Sequence, residues 1–240
     1  GEIDIAQHSA KDLPSHIPAE LELIAFTQRE AAQDVVLSLD PAKTLASNEP
    51  LRVGTSSTRR RAFLSHFYPQ HTAVEMRGNL QTRLEKLKKG DCDAMLLAFA
   101  GVHRMEMESY ITEHLSLDQF VPAVGQGSVA IQCAVSLDSS LKTLVRKACN
   151  HPGTEAALLA ERHLLAHLEG GCSVPVYGHA HLEGEKLKLQ AGVLSLDGIE
   201  NIYHSAEGSD PAILGKEVAM ELIQLGAHQL LRKIRQQLGS

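Results

Sequence analysis

The sequence predicts an α/β fold followed by a smaller α+β domain. Between about residues 30 and 121, apolar strand-like runs alternate with helical stretches, a pattern typical of a mostly parallel sheet with helices on both faces. Beyond residue 153, a helical stretch is followed by two alternating runs and two further helical stretches. With 240 residues, 43% of them hydrophobic, the chain is long enough for at least two domains with substantial cores.

The first elements are strands, each of which ends in polar residues. IDIA at 3–6 predicts a short buried strand that ends before HSAKD and Pro14. LRVGTSS predicts a strand ending at Gly54, and the hydroxyl residues after it precede a helix over about 58–67, closed by Pro69.

The same scheme is repeated further along the chain. AVEMRGN predicts a strand, with Asn79 as the N-cap of a helix that carries Leu80, Leu84 and Leu87 and stops at Gly90. DAMLLAFAG predicts another apolar strand. The glycine-containing segment 121–133, VPAVGQGSVAIQC, predicts a hinge that returns the chain to the first domain.

The last third predicts a small α+β domain. A helix over about 153–168 places an apolar stripe on one face and ends at Gly170–Gly171; the stripe is Ala157, Ala160, Leu164 and Leu168. KLKLQAGVLSLDG and IENIYHSAEG predict antiparallel strands, with turns at Glu183–Gly184 and Asp197–Gly198. Helices over about 211–225 and 227–238 complete the domain.

Composition and charge exclude several classes of protein. The chain has no apolar run long enough to span a membrane. It shows no signal peptide, and its four cysteines form no CxxC pair, so we expect a reducing, cytoplasmic compartment. The net charge is −6, yet basic residues cluster at 59–61 and 77–89, which favours a small anionic ligand over nucleic acid.

Three polar clusters follow predicted strands, where open α/β sheets bind ligands. HSAKD pairs a lysine with a carboxylate that could manage a proton, although an exposed ion pair is the plainer interpretation. GTSSTRR and MRGN place hydroxyls, arginines and helix N-termini where they could bind anions, although a merely capped helix would look similar. The candidate residues in these clusters are Ser9, Lys11, Asp12, Ser57, Arg59, Arg60, Arg77 and Gly78.

Metal and nucleotide sites are not indicated. His163 and His167 lack the glutamate of a zinc-binding HExxH helix, and His179 and His181 have no further ligand at a usual spacing. The sequence contains no GxGxxG and no Walker loop.

Cys172 lies in LEGGCSVPV, on the loop between the first helix of the α+β domain and its sheet. The local sequence allows two interpretations. A free cysteine is usually a small, buried and inert hydrophobe, but a thiol on a glycine-rich loop could also carry a covalent group.

Taken together, five motifs in order resemble the porphobilinogen deaminase (hydroxymethylbilane synthase) family across the whole chain. Any one of them alone would be weak, whereas five in the family's order and approximate spacing are specific. The motifs are IDIAQHSAKDLP, VGTSSTRR, MRGNLQTRL, AVGQGSVAI and LEGGCSVPV.

The resemblance implies a three-domain fold. Two lobes similar to periplasmic binding proteins, the first of them incomplete here, would precede a small C-terminal α+β domain. The implied division is 1–28 with 128–148 for the first domain, 29–127 for the second and 149–240 for the third.

The family implies a transferase of haem and tetrapyrrole biosynthesis. It joins four porphobilinogen units head to tail into hydroxymethylbilane and releases ammonia at each step. The cofactor, dipyrromethane, would be attached to Cys172 through a thioether, with no metal. The implied partner is the small-molecule substrate, without nucleic acid or membrane, and the protein is expected to be a monomer.

The resemblance also implies roles for single residues. Asp12 would stabilise the cationic azafulvene that forms when porphobilinogen loses its amine, and Lys11 would bind substrate or cofactor side chains. The acetate and propionate groups would be held by Ser57, Arg59, Arg60, Arg77 with Gly78, Arg83 and Ser9, while Gln126 would contact a cofactor ring.

The chain departs from the family pattern at its start. It lacks the TRxSxLA-like stretch and the GGKGLF-like loop, and it begins roughly seventy residues into the pattern. We therefore expect exposed backbone and apolar side chains at IDIA, and either a truncated chain or a partner that supplies the absent part. The sequence therefore leaves open whether these 240 residues catalyse the reaction on their own. The alternatives are a two-lobed anion-binding module and an inactive remnant.

Overall fold

The computed structural model describes residues 3–169 and 174–239, in which the strands form three sheets. The strands are β1 (Ile5–Ser9), β2 (Leu21–Phe26), β3 (Asp34–Leu37), β4 (Arg52–Gly54), β5 (Thr72–Val74), β6 (Ala94–Ala98), β7 (Ile111–His114), β8 (Val129–Ala134), β9 (Val176–Glu183), β10 (Lys186–Leu194) and β11 (Asn201–Gly208). The helices are α1 (Thr58–Phe67), α2 (Leu80–Lys88), α3 (Phe99–Arg104), α4 (Ser139–Cys149), α5 (Pro152–His167), α6 (Pro211–Gln224) and α7 (Ala227–Leu238). The predicted fold class, α/β followed by a small α+β unit, is confirmed.

The first sheet has the order β1-β8-β2, with β8 antiparallel to both neighbours. The prediction of a buried strand over 3–6 was wrong in position and in burial. The strand begins at Ile5, and the residues Ile3 and Ile5 are 76% and 44% exposed. Among the described strands, β1 pairs with β8 and lies at the edge of the sheet. The exposed apolar side chains expected at this place are confirmed.

The second sheet has the order β5-β4-β6-β3-β7 and is mixed. Strand β4 runs parallel to β5 and β6, whereas β3 is antiparallel to β6 and β7, so the prediction of a mostly parallel sheet was wrong. The three parallel strands are connected by crossovers that contain helices, with α1 between β4 and β5 and α2 between β5 and β6, and β3 lies outside this helix-connected run. The strand predicted from DAMLLAFAG is confirmed as β6, and the helices predicted over 58–67 and after Asn79 are confirmed as α1 and α2.

The third sheet is antiparallel, in the order β11-β10-β9, and α5 and α6 pack against it. The apolar stripe predicted on α5 is buried: Ala157, Ala160, Leu164 and Leu168 are each at most 4% exposed. Both predicted turns are confirmed, with positive φ angles of 65° at Gly184 and 76° at Gly198. Gly170, Gly171 and Cys172 lie outside the described residues.

The second and third sheets share one aromatic core. The ring of Phe63 on α1 lies 4.9 Å from the ring of Phe120 and 4.9 Å from that of Tyr177 on β9. Nearby, His66 Nδ1 lies 2.6 Å from the carbonyl oxygen of Gly198 in the β10–β11 turn. These contacts hold the C-terminal unit against α1. The division into three domains at the stated boundaries stays a prediction.

None of the described helices combines the length and the apolar character that crossing a membrane requires.

Candidate active site

Two adjoining cavities lie where the first and second sheets meet. The larger has a volume of about 770 Å³ and the smaller about 210 Å³. Both are lined by Lys11, Asp12, Arg60 and Gln126, so these four residues mark the junction between the cavities.

Most of the candidate residues line these cavities. Ser57 and Arg59 line the smaller one, and the larger one is lined, besides the junction residues, by Ser9, Gly78 and Arg83. Arg77 lines neither cavity: its side chain is 84% exposed, and its Nε donates to Glu75 Oε1 at 2.6 Å. Cys172 lies outside the described residues, but Val174, two positions along the chain, lines the smaller cavity.

Lys11 and Asp12 are carried by a short 3-10 turn, Ala10–Asp12, that directly follows β1. The backbone N–H of Ala10 donates to the carbonyl of Ser128 at 2.9 Å. At Gly125, where φ is +78°, a Cβ would lie 2.7 Å from the carbonyl carbon of Ala10. Only glycine at this position lets the 123–128 segment approach the turn so closely, and this approach presents Lys11 and Asp12 at the junction.

The electrostatic environment alters the pKa of Lys11. Burial, reinforced by the positive charge of Arg60, lowers it to about 8, although the nearby carboxylates of Asp12 and Asp34 act in the opposite direction. The Lys11 ammonium is therefore charged at neutral pH and loses its proton within the mildly alkaline range.

Arg59 and Arg60 both bind one buried carboxylate, Asp34, at the start of β3. Arg59 Nη2 donates to Asp34 Oδ2 at 2.6 Å, and Arg60 Nη2 donates to Asp34 Oδ1 at 2.8 Å. Each arginine also donates to a backbone carbonyl: Arg59 Nη1 to Val121 O at 2.8 Å, and Arg60 Nη1 to Leu96 O at 3.2 Å. The two arginines are thus held in place before any ligand arrives.

The charges of this cluster do not cancel. Burial by itself would raise the pKa of Asp34, but the charges and hydrogen bonds of Arg59 and Arg60 outweigh it and hold that pKa well below its usual range. One carboxylate therefore faces two guanidiniums. In addition, Arg59 Nε is buried and has no hydrogen-bond partner among the described atoms. The cluster is suited to accept an anionic group.

Gln126 belongs to the same network. Its side-chain Nε2 donates to the Ala32 carbonyl at 2.6 Å and to Asp34 Oδ1 at 2.9 Å. The amide thus supports Asp34 from residues 121–128, which precede β8, while a hinge at this place stays a prediction. Contact of Gln126 with a cofactor ring stays a prediction.

Ser57 of GTSSTRR and Gly78 of MRGN both form hydrogen bonds within the protein. The Ser57 hydroxyl caps α1 by accepting from the Arg60 backbone N–H at 3.4 Å. Gly78 adopts a φ of +118°, and its carbonyl accepts from Arg83 Nε at 2.8 Å. This bond orients the Arg83 side chain beside the larger cavity.

Sequence reasoning missed Asp34 and also Glu161, a carboxylate on the apolar face of α5. Glu161 is fully buried; it accepts from Arg29 Nη1 at 2.6 Å, from the Gly125 N–H at 2.7 Å and from the Ala180 N–H at 2.8 Å. For Glu161, the sequence signal was a charged residue within an apolar helical stripe. For Asp34, it was a charged residue directly before the apolar run VVL. A buried charge requires a partner.

His103 and Arg104, at the end of α3, were also missed, and both line the larger cavity. They follow the apolar strand β6. The sequence analysis applied the rule that ligands bind beyond strand ends to GTSSTRR and MRGN. The same rule applied after β6 would have indicated these two residues.

The sequence was compared with known protein families and with curated proteins. Residues 1–142 match the family model "Porphobilinogen deaminase, dipyromethane cofactor binding domain", and residues 155–224 match the model of the porphobilinogen deaminase C-terminal domain. Curated porphobilinogen deaminases include one from Desulfosudis oleivorans, 45% identical over 99% of this chain, and one from Cytophaga hutchinsonii, 47% identical over 100% of it; the match covers 77% of each relative.

Solved structures align at lower similarity. The periplasmic VFT2 domain of Bordetella pertussis BvgS is 16% identical over 61% of each chain, with a TM-score of 0.38. A TRAP periplasmic solute binding protein from Desulfovibrio salexigens is 14% identical over 62% of this chain and 55% of its own, also with a TM-score of 0.38.

The family assignment depends on the sequence matches, which include both the cofactor-binding domain and the C-terminal domain. By these matches, the chain belongs to the porphobilinogen deaminase family.

Proposed function

We propose that this chain joins four porphobilinogen units head to tail into hydroxymethylbilane, with release of ammonia, on a dipyrromethane primer attached to Cys172. The observation that carries the proposal is the junction of the two cavities. There, one exposed carboxylate, Asp12, lies among the cationic side chains of Lys11 and Arg60.

The residues of the smaller cavity fit the cofactor. Dipyrromethane bears acetate and propionate groups, and Arg59 offers a buried Nε that lacks a partner among the described atoms. Val174 lines this cavity, and Cys172 precedes it in the sequence by two positions, which supports attachment of the cofactor beside this cavity. When bound, the group supplies the pyrrole α-carbon on which the product begins.

Asp12 is proposed to act on the reacting substrate. In each addition the C–N bond of the protonated aminomethyl group breaks and its electron pair leaves with neutral ammonia, so the positive charge passes to the pyrrole. A new C–C bond then forms, and the α-carbon proton is released. The Asp12 carboxylate, hydrogen-bonded to the pyrrole N–H, stabilises that charge before the bond forms.

Cationic side chains of the larger cavity are proposed to bind the substrate's carboxylates. Lys11, Arg60 and Arg83 line it, with the Ser9 hydroxyl beside them. Its volume of about 770 Å³ lies within the range of about 300–1,000 Å³ that is usual for small-molecule sites. A contribution of Arg77 would require its exposed side chain to leave Glu75.

The remaining features of the proposal are a cytoplasmic location and a monomeric state. The cysteine pattern, without CxxC pairs, supports a reducing compartment. Sedimentation of the purified protein at the mass of one chain would support the monomer, and a dimer mass would contradict it.

The test is the intact mass of the protein purified from a host that makes porphobilinogen. We expect an excess equal to two linked pyrrole units on the peptide that contains Cys172. Cys172→Ser should abolish the excess, whereas Cys149→Ser, at a free and partly exposed cysteine of α4, should retain it.

Asp12→Ala separates attachment from turnover in the same experiment. We expect this variant to keep the added mass but to lose elongation when porphobilinogen is supplied. Normal turnover of Cys172→Ser would contradict the proposal. An unmodified wild-type protein that nevertheless binds porphobilinogen would instead support the anion-binding alternative.

A further inference from the structure

Asp34 occupies the centre of the arginine cluster. Its Oδ2 accepts from Arg59 at 2.6 Å, and its Oδ1 accepts from Arg60 at 2.8 Å and from Gln126 at 2.9 Å. The carboxylate is fully buried. It therefore connects β3, α1 and the segment 121–128 at one point.

Arg59 and Arg60 require such a connection because they are consecutive residues of α1. Side chains at positions i and i+1 of a helix point in directions that diverge by about 100°, so they do not face each other. Two guanidiniums brought together in a buried place also repel each other. An external carboxylate that accepts from both resolves both problems.

Asp34 leaves part of the cluster available. It compensates one of the two positive charges, and it takes Nη2 of Arg59 while Arg59 Nε stays without a partner among the described atoms. Asp34 thus fixes the positions of both guanidiniums and leaves the cluster with a net positive charge.

We propose that Asp34 is the positioning residue of the cofactor site: it holds Arg60 at the cavity junction and Arg59 on the wall of the smaller cavity, both oriented to bind the carboxylates of the pyrrole cofactor. The inference rests on the proposed function and adds to it the residue through which the two arginines act.

The first test does not depend on any ligand. Side-chain Nε–H signals of ¹⁵N-labelled arginine are recorded in wild type and Asp34→Asn, and are assigned with Arg59→Lys and Arg60→Lys. In wild type we expect the Arg60 Nε–H, which donates to Asp34 Oδ1 at 3.2 Å, and the buried Arg59 Nε–H to exchange slowly. In Asp34→Asn both should shift and exchange rapidly.

Asp93→Asn is the matched control. Asp93 binds Arg52 through both oxygens, with Arg52 Nη2 at 3.1 Å from Oδ1 and Nε at 3.2 Å from Oδ2, and it lines neither cavity. This variant should change the Arg52 signal and leave those of Arg59 and Arg60 as in wild type.

The second test measures cofactor attachment. Apoprotein is incubated with porphobilinogen, and the rate of mass increase is followed. Asp34→Asn should load more slowly by about tenfold or more, Asp93→Asn should load like wild type, and Asp34→Glu should recover part of the rate because it keeps the charge.

The outcomes are separable. Unchanged arginine signals in Asp34→Asn, or wild-type loading despite lost signals, would overturn the positioning role. Failure of wild type to load would contradict the proposed function alone, since the arginine signals still decide the role of Asp34. If circular dichroism shows that Asp34→Asn does not fold, the same two criteria apply to Asp34→Glu.

Discussion

Lys11 shows how local surroundings set the working range of a single side chain. Its position on the turn after β1 places it beside Arg60 and partly out of water. Burial and that neighbouring charge bring its pKa to about 8, within reach of ordinary assay conditions. An ammonium that binds a substrate carboxylate must keep its proton, so we expect its contribution to be lost as pH rises through this value.

Lys11→Arg should remove this pH dependence. In wild type, kcat/KM for porphobilinogen should fall above about pH 8, because this ratio reports the protonation state of the free enzyme. The arginine stays charged, so its profile should remain level into the alkaline range. Lys88→Arg, at an exposed lysine paired with Glu85, should keep the wild-type profile. Identical falls in wild type and Lys11→Arg would assign the titration to another group.

Helix α2 shows how one short element depends on its first residues. Asn79 Oδ1 accepts from the Thr82 N–H at 2.8 Å, and Gly78 at φ +118° makes the turn that precedes the helix. A Cβ at Gly78 would lie 2.9 Å from Thr82 Cγ2. The helix carries Arg83 to the larger cavity, so its N-terminus contributes both to stability and to the site.

Removing the cap by Asn79→Ala should lower the free energy of unfolding by about 1 kcal/mol. It should also raise KM for porphobilinogen, because fraying of the first turn releases Arg83. Asn79→Ser retains a capping oxygen and should behave nearly as wild type. Urea unfolding and steady-state kinetics measure the two effects. Equal behaviour of the alanine and serine variants would show that the cap does not support α2.

The ion pair between Arg29 and Glu161 connects segments that are far apart in the sequence. Arg29 follows β2, its Nε donates to the Gln126 carbonyl at 2.9 Å, and its Nη1 donates to Glu161 on α5 at 2.6 Å. Glu161 in turn accepts from the N–H groups of Gly125 and Ala180. One ion pair thus joins the first sheet, the segment 121–128 and the C-terminal unit.

Glu161→Gln leaves Arg29 buried without its counter-ion, which costs about 3–5 kcal/mol in comparable cases. We expect a clear fall in the midpoint of urea unfolding. Glu155→Gln is the matched control on the same helix: the Glu155 pair with Arg146 is partly exposed, and such pairs contribute about 0–1 kcal/mol. Equal losses in the two variants would contradict a special role of the buried pair.

Features that depend on near neighbours in the chain could be predicted from the sequence. The bounds of α1, the Asn79 cap, the apolar stripe of α5 and the Gly184 and Gly198 turns are of this kind, since capping, helical periodicity and turn geometry involve residues a few positions apart. The order of the family motifs was likewise readable from the sequence, and it led to the family that the comparisons confirm.

Features that join distant segments were decided by the tertiary structure. Asp34 meets Arg59 across 25 positions and Arg29 meets Glu161 across 132, so neither pairing shows in a local pattern. The antiparallel entry of β3 and the exposure of Arg77 depend likewise on how the sheets are connected and packed. The physical reason is that a buried charge must find its partner wherever the topology brings one, whereas a helix cap finds its partner within one turn.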